Sequence, residues 1–269
     1  MAQDLICGRQ AARALDQSLR DPTGSPPGIQ MVYISESFPA KLKKELSALL
    51  GKGPVQTMSS SDLSRLTDLR HQGIVVRLKT SSVSGGLESR EAGLKQALTD
   101  KPGLYVMLDR IQDEQNLGSI ARSAEALGAK GLIITGKGAR PGSVAARVSA
   151  GATMLLPIFQ SSSQSVIKTA RSQSYWLLGS DFDPLAEKDK KSISCHDLSS
   201  LPESSRLILV IGSEGDGMKS SLLDQCDFTV HIPLRGKTES LNAGVATAIL
   251  LDRLMEYVSS KSGQESGPE

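Results

Sequence analysis

The chain of 269 residues has little that would staple it together or carry it across a membrane. It holds three cysteines, Cys7, Cys195 and Cys226, odd in number, widely spaced and with no CxxC pair. That excludes a disulfide framework, argues against a thiolate metal site and points to a reducing compartment. The three histidines, His71, His196 and His231, show no ligand-like spacing, so no metal is expected. Aromatic residues make up 3% of the chain, too few for a face that grips bases mainly by ring stacking. No apolar run approaches the roughly 18 residues of a spanning helix, so no membrane partner is expected. The opening MAQDLICGRQ has an early acid and no apolar stretch after a basic one. It reads as neither a secretory signal nor a transit peptide, and the cytoplasm is the expected location.

Nucleotide-binding loops are missing too. No GxxxxGK[ST] occurs, which leaves nucleoside triphosphate hydrolysis without support. LIITGKGARPG places Gly136, Gly138 and Gly142 after a strand but puts Pro141 where a dinucleotide fingerprint needs glycine.

What is present suits a globular protein: 39% of residues are hydrophobic and 22% charged. The length allows one large domain or two small ones. Residues 1–95 carry 13 Lys and Arg against 9 Asp and Glu, a surplus of four positive charges. The remaining 18 and 20 leave residues 96–269 with two extra negative charges. The N-terminal third is thus the part able to attract a polyanion, though weakly.

The hydrophobic pattern predicts helices over 8–20, 38–53 and SSDLSRLTDL, the last capped by Ser60 or Ser61, with strands at 29–35, PVQTMS and 73–79. This is a small α/β domain over 1–80. A Ser/Gly-rich start marks 81–98 as a linker. From 99 to 260 strands and helices alternate: strands at 103–111, 130–135, 154–159, 175–180, 206–213 and 228–234, and helices at 116–129, 143–153, 161–174 and 241–260. RLILVIGS reads as a buried strand, since five successive apolar residues suit a sheet covered on both faces. Such alternation implies a largely parallel sheet. In the last helix Val245, Ile249 and Leu254 are expected to face inward, and 261–269 is a tail.

Three segments carry chemistry. In DEQNLGSIARSAEALG, Asn116 sits where a strand hands over to a helix and could cap it. Arg122, one turn further, could bind a phosphate in a bidentate manner. In VIGSEGDGM, Gly212, Gly215 and Gly217 imply a tight turn around Glu214. In HIPLRGKTESLNAGVA, Ser240 and Asn242 straddle a helix start, where unpaired amides point outward.

Together NLGSIAR, GSEGDGM and IPLRGKTESLN resemble, in order and spacing, the SpoU or TrmH-like family of RNA ribose 2′-O-methyltransferases. ICGRQAARAL and HQGIVVRL resemble the small L30e-like RNA substrate-binding domain of the branch that methylates guanosine in 23S rRNA. The resemblance implies a SPOUT-type parallel-sheet methyltransferase domain whose residues at about 207–257 form a deep trefoil knot. It implies S-adenosylmethionine (SAM) as cofactor, ribosomal RNA as substrate and a homodimer. Transfer RNA is the alternative substrate, and a catalytically silent RNA-binding or ribosome-assembly protein is the alternative class. Carried over by position, Asn116, Arg122, Glu214, Ser240 and Asn242 are the expected catalytic set. Cofactor contacts are expected from the backbone around Thr135, Gly212, Ile232, Leu234 and Leu241. Arg9, Arg77 and Arg122 are the expected RNA contacts. The chain departs from the family's habit at Glu114, Ser213, Ala243 and Gly244.

Overall fold

A computed structural model describes residues 5–20, 28–79, 90–180, 192–213, 215 and 217–262. Two compact units emerge: residues 1–88 with 140–156, and residues 89–139 with 157–269.

The first unit holds β1 (Leu5–Cys7), α1 (Arg9–Arg20), β2 (Ile29–Ser35), α2 (Ala40–Glu45), α3 (Ser47–Lys52), β3 (Val55–Met58), α4 (Ser60–Leu66) and β4 (Ile74–Leu78). Its sheet runs β1-β4-β2-β3, with only the β2–β3 pair parallel. Alternation sorts its side chains onto two faces. Ile6, Val32, Ile34 and Val76 join Leu15 and Leu49 in one core, while Leu5, Tyr33 and Val75 pack with Leu63 in another.

Several local expectations change. The helix expected over 38–53 breaks at Leu46, which has φ −92° and ψ 35°. The buried Asp16 carboxylate takes the Leu49 N–H at 2.7 Å, and Arg20 donates to the Glu45 carbonyl at 3.2 Å. These contacts replace the bond that a continuous helix would make between those two groups. Ser59, rather than Ser60 or Ser61, caps α4, accepting from Asp62 N–H at 3.1 Å. β1 is three residues long, too short to betray itself by alternation.

The first unit also takes in residues 140–156, which chain order had assigned to the second domain. Here α7 (Ser143–Val148) is followed by a 3-10 turn at Ala152–Met154. Small residues bring this segment onto α1: Gly151 has φ 93°, and a Cβ there would collide with Ala14 and stand 3.1 Å from Ala11 Cα.

The second unit holds α5 (Arg90–Asp100), β5 (Leu104–Asp109), α6 (Glu114–Leu127), β6 (Gly131–Thr135), β7 (Ile158–Ser161), α8 (Ser163–Ser172), β8 (Trp176–Ser180), β9 (Ser192–Ser194), β10 (Leu207–Ile211), α9 (Ser220–Leu223), β11 (Phe228–His231) and α10 (Ala243–Ser262). Its seven strands run β7-β6-β5-β10-β8-β11-β9, every pair parallel. All five residues of β10 and all six of β5 are buried, as a sheet covered on both faces requires.

The 81–98 linker is corrected in its second half, which forms α5; residues 80–89 lie outside the description. Leu94 and Leu98 are fully buried in the core with Tyr105 and Tyr175. The two tyrosine hydroxyls donate to carbonyls of Ala97, Lys101 and Leu98, fastening the helix. Burial pushes the Tyr175 hydroxyl pKa up to about 12, so it stays a donor. The strand expected at 154–159 begins only at Ile158, after Pro157 and the 3-10 turn. Among the described residues no helix is long and apolar enough to cross a membrane.

A candidate active site at the carboxyl edge of the parallel sheet

The strand order reverses between β5 and β10, the switch point at which open parallel sheets take ligands in a crevice at the carboxyl ends of their strands. The segments singled out in the second unit follow β5, β6, β10 and β11.

After β5 the chain turns into α6. Asp113 is its N-cap, accepting from Gln115 N–H at 2.8 Å, and Gly128 ends it at φ 87°. Asn116 is therefore not a cap. It lies inside the first turn, 8% exposed. Its Oδ1 accepts from Asn242 Nδ2 at 2.9 Å, across 126 residues of sequence. Asn242 works at both ends, since its Oδ1 caps α10 by accepting from Gly244 N–H at 2.9 Å and Val245 N–H at 3.4 Å.

Gly244 explains one departure from the family's habit. A Cβ there would stand 2.7 Å from Ser119 Oγ on α6, so the glycine lets the two helices close. The inward face of α10 carries Thr247, Leu250, Leu251, Leu254 and Val258. Leu254 was expected there; Val245 was not realised, being 50% exposed, because the cap turns it outward.

Asn242→Ala should lower stability by about 1–3 kcal/mol, through the lost cap and the lost bond to Asn116. Asn242→Asp keeps the accepting oxygen but not the donor, and should fall between. Thermal melting checks this; an unchanged midpoint in the alanine variant would refute the role.

Arg122 is exposed on α6. The structure does not bring it to the Asn116–Asn242 pair, and no hydrogen bond or ion pair holds its guanidinium among the described residues. Thr135 ends β6 fully buried and donates to the Leu108 carbonyl at 3.2 Å and Asp109 Oδ1 at 3.3 Å. Gly212 leads out of β10 into a turn closed by reciprocal bonds between Ser213 and Gly217, at 3.1 and 3.0 Å. Ser213 Oγ also donates to the Gly217 carbonyl at 3.1 Å, so the serine that departs from the family's habit pins the neck of the turn. Glu214 lies outside the described residues. Ile232 and Leu234 are half-buried beyond β11, while Ser240 and Leu241 are exposed. Sequence reasoning missed Asp109 and Arg110. An acid closing an otherwise apolar strand, LYVMLD, was the available signal.

In the first unit, Arg9 lines a cleft of about 650 Å³ with Ser64, Asp68, Arg70, His71 and Gln72. Its Nε donates to the Gln72 carbonyl at 3.1 Å, which leaves the terminal guanidinium nitrogens for an anion. Arg77 is half-buried, with its guanidinium 5.5 Å from the centre of the Tyr33 ring.

Thiol chemistry finds no support. Burial pushes the Cys7 thiol pKa up, against smaller opposing effects of its bond to Thr67 and the charge of Arg147. Burial does the same to Cys195. No group of His, Cys, Asp and Glu among the described residues could hold a metal ion.

Residues 103–252 match the SpoU rRNA Methylase family. The chain belongs to this family. The SpoU chain is 32% identical over 205 residues to a Staphylococcus haemolyticus protein described as a TrmH family tRNA/rRNA methyltransferase, covering 73% of this chain and 75% of that one. It is 28% identical over 250 residues to the 23S rRNA (guanosine-2′-O-)-methyltransferase RlmB of Pseudomonas putida, covering 91% of this chain and 93% of that one. In three dimensions it resembles the AdoMet-bound rRNA methyltransferase of Sinorhizobium meliloti, with TM-score 0.73 and 22% identity over 95% of this chain and 87% of the other. The SpoU chain thus has the α/β SPOUT-type fold with a parallel-sheet methyltransferase core.

Proposed function

We propose that the chain transfers a methyl group from SAM to a ribose 2′-hydroxyl of RNA, and that its substrate is a guanosine of large-subunit ribosomal RNA. The observation that carries the reading is the Asn116–Asn242 bond, which joins two of the three motif segments at one crevice. The Sinorhizobium meliloti relative is an rRNA methyltransferase with AdoMet bound.

The residues suit such a cofactor. From Ile232 to Leu241 the chain lies outside helix and strand, so its backbone groups are available for adenine edges. Half-buried Ile232 and Leu234 and exposed Leu241 offer apolar surface to a purine ring. The backbone around Gly212 would line the same crevice from β10, with fully buried Thr135 behind it at the end of β6. When bound, SAM supplies an electrophilic methyl on a sulfonium. That methyl would pass to the ribose oxygen, with S-adenosylhomocysteine as the leaving group and the hydroxyl proton passing to the substrate phosphate or to water. Asn116 and Asn242 tie together the starts of the two helices, Ser240 belongs to the loop before α10, and Glu214 is assigned with them by its place in the motif alone. Among the described residues Arg122 has no competing partner, and it is exposed, as a phosphate ligand must be. A guanidinium, with pKa above about 12, is a poor base. We assign Arg122 to orienting the substrate phosphate and stabilising the developing alkoxide.

The first unit, read as an L30e-like domain, would position RNA. Arg9, with Arg70 beside it, is the stronger contact. Arg77 is already stacked on Tyr33 and the weaker. Arg9→Ala should weaken RNA binding without changing SAM affinity, and should flatten the salt dependence by about 0.7–0.9 log units per log unit of salt if one phosphate contact is lost. Filter binding across a salt series measures it; an unchanged slope refutes the contact.

The exposed Val245 at the start of α10 is apolar surface that a homodimer would cover. A trefoil knot over about 207–257 and action in the cytoplasm complete the proposal. The three cysteines, buried and in no disulfide, suit a reducing compartment.

Incubation with methyl-labelled SAM and unmodified rRNA and tRNA in separate reactions tests the function, with nuclease resistance mapping label to the ribose. Label in 23S rRNA supports it. Label in tRNA alone favours tRNA, a reading open to the Staphylococcus haemolyticus relative by its description. SAM binding without transfer to either overturns naked RNA as substrate. No SAM binding favours a silent RNA-binding protein.

A further inference from the structure

Asp109 and Arg110 lie at the crevice and have no part in the reaction as described. Asp109 closes β5 with its side chain 5% exposed. One carboxylate oxygen accepts from Thr135 Oγ1 at the end of β6, at 3.3 Å. The other accepts from Arg110 Nε at 3.1 Å. Arg110 Nη2 then reaches the Gly217 carbonyl at 3.3 Å, 107 residues away in sequence, at the neck of the turn that follows β10. One acid and one base therefore lace together three adjacent strand ends.

Arg110 holds this place against its own backbone preference. Its φ is 60°, in the left-handed region where a Cβ crowds the neighbouring carbonyl. Across from it Gly136 has φ 66°, and a Cβ there would stand 3.2 Å from Arg110 Cγ. Glycine at 110 would adopt the same φ without strain, so the guanidinium must do something that glycine cannot. Arginine suits the task, because its rigid planar fork presents donors in two directions at once. The Gly217 carbonyl receives Arg110 Nη2, Ser213 N–H and Ser213 Oγ together, so this oxygen is where the turn is fastened.

We infer that Asp109 and Arg110 are a positioning pair that holds Ser213 and Gly217, at the neck of the turn after β10, in the place that receives SAM. Arg110 acts through the Gly217 carbonyl, and Asp109 acts by aiming Arg110. The inference rests on the SAM site proposed above.

Arg110→Gly, Asp109→Asn and the double variant, each in the full chain, test it. Arg110→Gly relieves the left-handed strain but leaves the buried Asp109 carboxylate without its cation, so its melting temperature should fall only modestly. Its Kd and KM for SAM should nevertheless rise five- to twentyfold, with kcat within twofold of wild type. Asp109→Asn should weaken SAM binding to a similar extent. The double variant should bind no worse than either single one, because each change breaks the same link. Arg110→Lys keeps the charge but not the fork, and should recover less than half of the lost affinity. Wild-type SAM affinity in Arg110→Gly would overturn the inference, as would losses that multiply in the double variant. If the wild-type chain itself fails to bind SAM, the SAM reading falls first and the inference with it.

Discussion

Arg122→Ala should lower methyl transfer about 10²–10³-fold, the usual cost of removing one donor aimed at developing negative charge. SAM affinity should stay within twofold of wild type. Arg122 is exposed on α6 and its guanidinium holds no other group among the described residues, so the substitution should change stability by less than about 0.5 kcal/mol. Folding loss therefore cannot imitate the effect. Arg122→Lys is the sharper variant. It keeps the positive charge and gives up the planar fork that meets two phosphate oxygens. Under the proposed role it should remain at least tenfold impaired. Single-turnover transfer of labelled methyl, with RNA affinity measured alongside, separates the cases. Near-normal turnover in the lysine variant, with intact RNA binding, would sink the bidentate role.

The second large effect is expected from a single methyl group. In Gly212→Ala the new Cβ would collide with the Met218 nitrogen and stand 2.5 Å from the Gly217 carbonyl carbon. Both obstacles are backbone, so no side chain can swing aside. They are also held in place by the reciprocal Ser213–Gly217 bonds, and the turn can admit the methyl only by opening. Overpacking of this kind costs about 1–3 kcal/mol, and each broken bond adds about 1. With both reciprocal bonds lost, the melting temperature should fall by roughly 6–20 °C at the usual 2–4 °C per kcal/mol. SAM affinity should fall at least tenfold, because the turn lines the proposed pocket. Calorimetric titration and a melting curve measure the two losses. Wild-type SAM affinity in this variant would remove Gly212 from the cofactor site.

Much of the framework was legible because local physics wrote it. β10 announced itself as an unbroken apolar run, and every one of its residues is buried. Asn242 could be read as a cap because capping depends on side-chain chemistry within a few residues. Where expectations slipped, a distant group had intervened. The break at Leu46 needs Asp16 and Arg20, which lie on another helix. Asn116 looked like a cap from its place in the chain. The cap was Asp113, whose oxygen was nearer the first free amides.

The sequence by itself determined most of the longer helices and strands and the three segments that resemble the family's motifs. Helix and strand periodicity act over a few residues, and a motif is a string. Only the tertiary structure decided that residues 140–156 pack with the first unit, that Gly244 exists to let Ser119 approach, and that Asn116 meets Asn242. Only the fold, too, set Arg110 in a strained conformation against a carbonyl 107 residues away. Such facts depend on which surfaces are brought together, and no window of sequence contains both partners.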